Sequence, residues 1–490
     1  MGAILMSAVS CNSKSEEKEN EIVVTPAIVA IKNFSFKANS SVLANLDSVF
    51  FSIDLKTGVI FNANYLPVDT KVDKLVPAIT FANSMTKAVF SFEKEGEIVT
   101  SDYLTNPEDS IDFSQPVTLD VTAADGQSSF KYHIKVNIFK EDPDSLVWNR
   151  LQTSTLPSLY PGPVAQKTLY KDDTAFCLIE ESTGEITLAL SQNLNEGLWV
   201  KNALNLGFSP DVASFSSSDT NFYLLDINGN LYESPDSENW VSTGLDWTMI
   251  LGGYGNSILG VRQEGMTYLH TRYPAPDEFE ENPVSDLFPV NNPSALGLIE
   301  SKWSDSPTAI LAGGITLDGD ISNAVWAFDG KNWAIVNNNT LPALEMPMLA
   351  SYVIYRKTTA AFTLREFDIW LLFGGYNSEQ EMNREVYMSY DNGVSWQLAP
   401  KPMQLSDKVP YLAGADLIVA GYPLSSDLAD AWTIMTDTKT RTSYTIEGTE
   451  ITWICPYLYI FGGYFPYPDN SLNTQIYRGV LDRLTQTPVI

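Results

Sequence analysis

One short stretch, "SYDNGVSW" at residues 389–396, combines side chains that could take part in chemistry. The stretch places four groups at close spacing: the hydroxyl of Ser389, the carboxylate of Asp391, the glycine Gly393 and the indole of Trp396. A carboxylate can act as a general acid or base in hydrolysis. It can equally accept hydrogen bonds from the backbone N–H groups of a turn. The stretch therefore predicts either part of a catalytic site or a turn that joins two strands.

The spacing of "SYDNGVSW" resembles the Asp-box of sialidases and other carbohydrate-active β-propellers. The resemblance implies that the carboxylate of Asp391 binds the amides of a turn, that Gly393 permits the turn, and that Trp396 packs beneath it. These roles are structural, so we expect the motif to form a turn rather than an active site. A degenerate copy, "SPDSENW", begins at Ser234 and lacks the glycine.

A sialidase needs catalytic residues that this sequence does not display. The resemblance to that family implies three arginines for the substrate carboxylate, a tyrosine nucleophile with a partner glutamate, and an aspartate acid/base. The nearest arginine motif is "TRYPAP" around Arg272, whose neighbours differ from the family's pattern. The 60 acidic residues offer many carboxylate pairs for another kind of glycoside hydrolysis, and none is singled out. We predict no catalytic residue, and hydrolysis stays open as an alternative function.

Histidine and cysteine are too scarce for most metal or redox sites. The chain has two histidines, His133 and His270, and three cysteines, Cys11, Cys177 and Cys455. A copper site like that of galactose oxidase needs two histidines, and the repeating part of the chain contains only His270. Cys177 and Cys455 lie in apolar stretches, which favours buried free thiols over a disulfide. We predict no metal and no cofactor.

The elements that would position a site come from a repeat in the second part of the chain. Apolar residues lead into a glycine pair in "MILGGY", "AILAGGI", "LLFGGY" and "YIFGGY", and a degenerate copy, "LIVAGY", ends after Gly421. The pattern is similar to the kelch repeat, which implies a β-propeller of four-stranded blades. Two upstream segments look like further blades without the glycines. We therefore predict seven blades over residues 146–490, with six as the alternative.

Closure of the ring is predicted from the two ends of this region. The last glycine-pair segment supplies inner strands but no outer strand, whereas "LVWNRL" at residues 146–151 resembles an outer strand. We expect this strand to pair with the last blade, because that pairing would remove the open edges at which a propeller unravels.

A smaller β domain is predicted over residues 22–140. In "PVTLDVTAADGQSSFKYHIKVNIF", apolar residues alternate on both sides of Asp125-Gly126, which is a strong hairpin signal. The segment resembles the last strands of bacterial immunoglobulin-like or cadherin-like sandwiches. The charged stretch "KEDPDS" at residues 140–145 then reads as a linker. The fold class is accordingly all-β, a small sandwich followed by a propeller.

The first 21 residues read as a lipoprotein signal and a polar tether. A short apolar run ends in Ala8-Val9-Ser10-Cys11, which resembles a bacterial lipobox, although no lysine or arginine precedes it. The resemblance implies that Cys11 carries a lipid, so we expect attachment to the outer membrane or cell surface, with the periplasmic side as the alternative. The whole chain resembles two-domain surface lipoproteins of Bacteroidetes.

Charge excludes one class of partner. The chain carries 60 acidic and 30 basic residues, a formal net charge of −30. Such a surface repels phosphate backbones, so nucleic acid is not an expected partner. The sequence does not predict an oligomeric state.

The candidate ligand-binding residues follow the glycine pairs. Four of the five copies place a tyrosine directly after the glycine, and polar loops with further aromatic residues continue from there. Side chains of these types at a propeller mouth suit stacking on a sugar ring. The alternative is that the tyrosines pack between blades. The predicted face comprises Tyr254, Tyr376, Asn377, Arg384, Tyr422, Tyr464, Phe465 and Tyr467.

The sequence thus predicts a non-catalytic propeller that binds a glycan or a protein of the cell envelope. Two alternatives stay open, a carbohydrate-active hydrolase of the sialidase type and a scaffold or adhesin of an outer-membrane assembly. Carboxylates grouped with arginines in the central channel would favour the hydrolase. An uncharged aromatic mouth would favour glycan binding.

Overall fold

A computed structural model describes residues 27–94, 96–139, 145–300, 306–357, 364–423, 443–446, 449–452 and 454–481. The chain divides into two compact units, and the division falls between Asp142 and Pro143. Regular structure in the described residues is β-strand apart from three short 3-10 helices, Ala27–Val29, Leu46–Ser48 and Lys401–Met403. None of the described helices is long and apolar enough to cross a membrane. The all-β prediction is confirmed.

The first unit consists of two sheets around one core. Its described strands are β1 (Ile31–Phe36), β2 (Ser52–Asp54), β3 (Val59–Phe61), β4 (Pro77–Phe81), β5 (Met85–Lys94), β6 (Glu97–Asp102), β7 (Val117–Ala123) and β8 (Ser129–Lys135). β1 pairs with β4, and the larger sheet has the order β2-β3-β8-β7-β5-β6. Edge-to-face aromatic contacts among Phe34, Phe36 and Phe113 fill the space between the strands.

The hairpin predicted around Asp125-Gly126 is confirmed. β7 and β8 pair antiparallel from Val117–Ile134 to Thr122–Ser129. The Asp125 carboxylate accepts hydrogen bonds from the backbone N–H groups of Gln127 and Ser128, each at 2.9 Å. Alternate residues of β7 are buried, as expected for a strand with one face on a core.

The second unit contains six sheets of three or four strands in its described residues. The strands of the first three sheets are β10 (Pro163–Lys171), β11 (Thr174–Glu181), β12 (Ile186–Ser191) and β13 (Val200–Leu204); β14 (Pro210–Ser217), β15 (Phe222–Asp226), β16 (Asn230–Ser234) and β17 (Val241–Asp246); and β18 (Met249–Tyr254), β19 (Ser257–Glu264) and β20 (Thr267–Tyr273). A further strand, β9 (Leu146–Thr155), precedes them in the chain.

The other three sheets continue the same antiparallel pattern. Their strands are β21 (Gly297–Ile299), β22 (Thr308–Ala312), β23 (Val325–Phe328) and β24 (Trp333–Asn337); β25 (Met348–Lys357), β26 (Leu364–Phe373), β27 (Tyr387–Ser389) and β28 (Gln397–Leu398); and β29 (Ala413–Pro423), β32 (Ile454–Tyr464) and β33 (Gln475–Leu481) with β9. A separate hairpin consists of β30 (Ser443–Ile446) and β31 (Thr449–Thr452).

The first strand of each sheet faces the centre of the ring. β10 packs on β14, β14 on β18, β25 on β29, and β29 returns to β10. The sheets therefore radiate from a central channel, which is the β-propeller arrangement. Because each sheet is an antiparallel meander, its successive turns alternate between the two ends of the channel.

The seven-blade count is not confirmed. Counted as separate copies of the repeat, the segment ending at Gly421 and the pair Gly462-Gly463 predict two different blades. The structure corrects this, because β29 contains the first and β32 the second, and these strands pair along their full length. The two segments belong to one sheet, so the described residues form six sheets of three or four strands in this unit.

Two sets of contacts hold the last sheet of the ring to the first residues of the unit. β9 pairs antiparallel with β33, from Leu146–Leu481 to Thr155–Gln475. The indole of Trp148 is 1% exposed and lies directly across from Gly479. A Cβ atom added at Gly479 would approach that indole to 2.8 Å, so only glycine leaves room for the tryptophan.

The second set of contacts centres on the Asp416 carboxylate, which joins β29 to β10. It accepts hydrogen bonds from Nε2 of Gln166 at 3.0 Å, Nζ of Lys167 at 2.6 Å and the backbone N–H of Thr168 at 2.7 Å. Asp416 itself is 5% exposed. A buried carboxylate with three donors, one of them charged, is stabilised against the cost of leaving water.

Removal of this carboxylate tests its role in closing the ring. Asp416→Ala leaves Lys167 and Gln166 without their shared acceptor, and we expect the free energy of unfolding to fall by about 3 kcal/mol. Urea unfolding of the propeller, followed by tryptophan fluorescence, measures the change. Asp277→Ala, which removes an exposed aspartate from a loop, is the matched control and should change stability by under about 0.5 kcal/mol. Equal stability of the two variants would show that Asp416 is not a closing contact.

Candidate functional site

Glycine pairs end the second strand of three sheets and fix the residue that follows. Gly374 and Gly375 have φ values of 67° and 83°, a backbone region that favours glycine. A Cβ atom at Gly374 would lie 2.2 Å from the carbonyl oxygen of Leu412. Tyr376, next in the chain, then forms isolated β-bridges on both sides, with Glu345 and Met382. The pair therefore turns the chain sharply out of the sheet and holds Tyr376 against the neighbouring segment.

The tyrosines of the five copies do not share one position in the blade. Tyr376 and Tyr464 follow second strands, and Ile315 occupies the same place in the fourth sheet. Tyr254 and Tyr422, in contrast, lie near the ends of β18 and β29, which are innermost strands. Because successive turns alternate between the two ends of the channel, the expected single face is divided. Among the four copies with a tyrosine, only the loops after Tyr376 and Tyr464 belong to it.

Three of the predicted tyrosines pack inside the protein. Tyr254, Tyr376 and Tyr422 are 3%, 7% and 7% exposed. The Tyr254 hydroxyl donates to the carbonyl oxygen of Pro307 at 2.7 Å, and the Arg272 guanidinium lies 5.0 Å from its ring. For these residues the alternative interpretation, packing between blades, describes the structure better than a ligand-binding role.

The two long loops nevertheless meet. The Tyr376 hydroxyl donates a hydrogen bond to the carbonyl oxygen of Phe465 at 2.8 Å. Phe465 is half-buried against the core, whereas Tyr467 is 65% exposed. The Asn377 side chain accepts hydrogen bonds from turn N–H groups, which uses its oxygen within the loop. Tyr467 is thus the aromatic side chain of this face that a ligand can reach most readily.

Arg384 also belongs to this face. Its side chain is exposed, and its guanidinium lies 5.2 Å from the centre of the Tyr411 ring. A cation over an aromatic face is held in place by the charge distribution of the ring. Arg384 is therefore positioned at the rim while its hydrogen-bond donors stay available to a ligand.

Tyr464 joins this face to a group of carboxylates in the channel. Burial raises the pKa of the Tyr464 phenol, and the negative charges of Asp416, Asp211 and Glu180 raise it further. The carboxylates come from β29, β14 and β11, so three sheets contribute to the group. Sequence reasoning missed them, because each is a lone acidic residue in an ordinary strand pattern.

Two of these carboxylates remain available for a ligand. Asp416 is committed to Gln166, Lys167 and Thr168, as described above. Burial raises the pKa of the Glu180 carboxyl, and the nearby charge of Asp211 raises it further. Burial also raises the pKa of Asp211, against a hydrogen bond from the Ala213 N–H that favours the charged form.

Asp211 is exposed to water although protein atoms crowd around it. A side chain with both properties lies in a recess open to solvent, as expected at the mouth of the channel. The pair Glu180 and Asp211 can accept hydrogen bonds from hydroxyl or ammonium groups, and its raised pKa values also suit proton transfer. The cation of this group is Lys167, which pairs with Asp416. The carboxylates therefore lie beside a lysine rather than beside the arginine set of a sialidase.

The Asp391 motif lies in the turn between β27 and β28, at the opposite end of its sheet from Tyr376. Its carboxylate accepts hydrogen bonds from the Ser395 N–H at 2.8 Å and from the hydroxyls of Ser389 and Ser395. The Trp396 indole, 5% exposed, donates to the carbonyl oxygen of Gly393 at 3.0 Å. Burial opposes the charged form, but the hydrogen bonds outweigh it and hold the pKa of Asp391 below its ordinary value. These side chains therefore stabilise the turn between the two strands.

The remaining predicted residues give no site. Cys177 is a buried free thiol, and burial raises its pKa to about 12. Cys11 and the side chain of Cys455 lie outside the described residues. Within the part of the chain that the structure describes, no group of three or more histidine, cysteine or acidic side chains is arranged to hold a metal ion.

The raised pKa of Asp211 gives a pH prediction. A carboxyl whose folded pKa lies above its unfolded value destabilises the fold increasingly as the pH rises through that interval. Asp211→Asn removes this contribution, so its stability relative to the wild type should be higher at pH 7 than near pH 4. Urea unfolding at both pH values measures the difference, with Asp277→Asn as the control. A difference that stays constant or falls between the two pH values would contradict the assignment.

Comparison with known proteins supports the fold. A family model described as the DUF6242 beta propeller domain matches residues 142–489, and one described as the DUF6242 N-terminal domain matches residues 17–136. A search of curated proteins finds no match.

Several solved structures are similar at low identity. The six-bladed lectin of Aleuria aurantia is 11% identical with a TM-score of 0.31, covering 68% of this chain and 99% of the lectin. AofleA from Arthrobotrys oligospora is 12% identical with a TM-score of 0.36, covering 69% and 93%. The Trypanosoma rangeli sialidase is 9% identical with a TM-score of 0.35, covering 70% and 60%. At these levels the similarity says nothing about ligand or activity.

The two family models together span nearly the whole sequence and place the same kinds of domain in the same order as the structure. The chain therefore belongs to the DUF6242 family, with an N-terminal β domain followed by a β-propeller.

Proposed function

We propose that the propeller binds a glycan at the mouth of its channel, on the face formed by the loops after Tyr376 and Tyr464, without changing it chemically. One observation carries the proposal: Tyr464, at the start of one loop, interacts electrostatically with Glu180 and Asp211, and neither carboxylate forms an ion pair among the described residues. Carboxylates accept hydrogen bonds from sugar hydroxyls, and exposed aromatic rings stack on the apolar face of a sugar.

The charge of the site selects among glycans. Glu180 and Asp211 lie in a chain of net charge −30, so an anionic glycan would be repelled. Arg384 at the rim can bind a carboxylate or phosphate substituent, but the carboxylates of the channel favour neutral or amino sugars. We therefore expect a neutral or cationic glycan rather than a sialylated one.

Binding to a glycan array tests the proposal. The soluble chain from residue 22 should bind one or more neutral or amino-sugar glycans. Loss of the exposed ring in Tyr467→Ala, or of the charge in Asp211→Asn, should weaken binding about ten-fold, because each removes a contact that faces the ligand.

The matched control is Tyr390→Ala, which removes an exposed tyrosine from the turn at the other end of the fifth sheet. It should leave binding unchanged. Equal loss in Tyr390→Ala and Tyr467→Ala, or full binding by Tyr467→Ala and Asp211→Asn, would refute the proposed face.

A hydrolase is the second candidate, and the coupled carboxyls favour it. Glu180 and Asp211 interact electrostatically, and the pKa of each carboxyl is raised, as is common for carboxyls that transfer protons. Incubation of each array-positive glycan with the wild type, followed by mass spectrometry, distinguishes the two functions. Cleavage that is lost in Glu180→Gln and Asp211→Asn would establish the hydrolase, and intact glycan would support binding alone.

We also propose that the chain is a lipoprotein of the bacterial cell envelope, anchored through Cys11. The motif before Cys11 and the polar stretch "SEEKENE" after it support this location. Expressed with its first residues in a bacterial host, the wild type should incorporate labelled palmitate and fractionate with membranes. Cys11→Ala should do neither, and an unlabelled wild type would contradict the proposal.

A further inference from the structure

A second cavity lies away from the channel mouth, between the third and fourth sheets of the propeller. Its volume is about 120 Å³. One wall comes from β20 and the segment after it, and the other from β23, β24 and the turn between them. The side chains that matter most are His270, Glu280, Asn282, Trp326, Asn332 and Trp333.

The cavity exists because the third sheet has three strands where most of its neighbours have four. The segment after β20 takes the place of the fourth strand only briefly. The backbone N–H of His270 donates to the carbonyl oxygen of Asn282 at 2.9 Å. The backbone N–H of Val284 donates to the carbonyl oxygen of Tyr268, also at 2.9 Å. Beyond these two bonds the segment leaves the sheet edge, and a gap remains beside the fourth sheet.

An ion pair fixes this segment in place. The Glu281 carboxylate accepts hydrogen bonds from the Arg262 guanidinium and from the Thr271 hydroxyl, the latter at 2.6 Å. The Arg262 hydrogen bonds hold the pKa of Glu281 below its ordinary value, so the carboxylate is charged at neutral pH. The wall of the cavity is therefore preformed.

Aromatic rings line the interior of the cavity. The His270 imidazole stacks on Trp333, with ring centres 5.9 Å apart and an interplanar angle of 25°. It meets Phe288 edge to face at 4.4 Å. Trp326, 4% exposed, packs against the same phenylalanine. The rings give the cavity a flat apolar surface, while Glu280, Asn282 and Asn332 provide polar groups around it.

Two polar atoms of these side chains are closed off from solvent and have no hydrogen-bond partner among the residues that the structure describes. They are Nδ1 of His270 and Nε1 of Trp326. A buried polar atom without a partner costs about 1–3 kcal/mol, and such atoms are uncommon in folded proteins. Burial lowers the pKa of His270 to about 4, so its imidazole is uncharged at neutral pH. The rim carries one acidic side chain, Glu280, and one basic side chain, Lys331, so the cavity favours a neutral ligand with hydroxyl groups over a charged one.

We propose that this cavity is a second binding site, for a single neutral sugar residue at the end of a glycan. A sugar ring has an apolar face that suits Trp333 and hydroxyls that suit the polar rim. The volume of about 120 Å³ limits the site to one ring at most, with part of that ring outside the cavity, since sites for larger ligands enclose about 300 Å³ or more. This site is separate from the channel mouth, and the inference does not depend on glycan binding at the mouth.

Titration with free monosaccharides tests the inference. The probes are glucose, galactose, fucose and N-acetylglucosamine, added to the chain from residue 22, and saturation-transfer NMR with tryptophan fluorescence reports binding. At least one sugar should bind the wild type. Trp333→Ala should weaken its binding about ten-fold or more, and Trp333→Phe should retain part of it because a ring remains.

The control is Trp240→Ala, which removes the tryptophan after the corresponding turn of the second sheet. Melting curves should show that Trp333→Ala and Trp333→Phe remain folded. His270→Gln provides a second test that keeps the core ring of Trp333. Tyr390→Ala, which alters an exposed turn outside both proposed sites, should leave monosaccharide binding unchanged.

Three results would overturn the inference: no binding of any of the four sugars to the wild type, undiminished binding in both Trp333→Ala and His270→Gln, or equal loss in Trp240→Ala. Loss of binding confined to Trp333→Ala and His270→Gln, with partial rescue by Trp333→Phe, would support it.

Discussion

The buried carboxylate of Asp416 is the contact on which the geometry of the channel depends. It ties the innermost strand of the last sheet to that of the first, and the residues it joins are separated by about 250 positions in the chain. A long-range contact of this kind repays the entropy of closing a large loop only when its hydrogen bonds are complete. Gln166, Lys167 and Thr168 provide that completion. With β29 and β10 held together, Tyr464 and the carboxylates of the first two sheets come to lie at one mouth.

Glycine makes this arrangement sterically possible at a few positions. A Cβ atom at Gly462 would lie 2.1 Å from Nε2 of Gln166, the same amide that bonds Asp416. At Gly253, in the innermost strand of the third sheet, a Cβ atom would lie 2.1 Å from the carbonyl oxygen of Ser217 in the second. Glycines of similar sequence copies therefore have different roles. Gly462 leaves room for the Gln166 side chain between two sheets, and Gly253 lets the backbones of two sheets approach each other.

Individual strands and hairpins were easier to predict from the sequence than the assignment of strands to sheets. Alternating residues in β7 and β8 and the Asp125-Gly126 turn specify a hairpin locally, so that element could be read without the structure. The segment at residues 146–151 was placed with the last blade because that blade lacked an outer strand, and β9 lies beside β33 in the structure. The count of sheets depends on which strands pair, and strand pairing is a tertiary property. "LIVAGY" therefore resembled a separate blade although β29 and β32 share one sheet.

The candidate site was predictable only in part, for the same reason. Tyr467 and Arg384 were named because loop aromatics and charges are visible in a sequence, and both are exposed. Tyr254 and Tyr422 were misplaced, because a glycine before a tyrosine does not reveal whether the strand is innermost or second. Glu180, Asp211 and the cavity at His270 were missed, because their neighbours come from different sheets and nothing local distinguishes them.

We propose that ligand binds at the mouth that bears Tyr464 and the carboxylates. Hydrogen–deuterium exchange, with and without a glycan that binds the wild type on the array, tests it most directly. The account predicts slower exchange on binding in the peptides that cover residues 376–386 and 464–474, and unchanged exchange in the turn at residues 390–396. Protection confined to that turn, with none in the two loops, would contradict it.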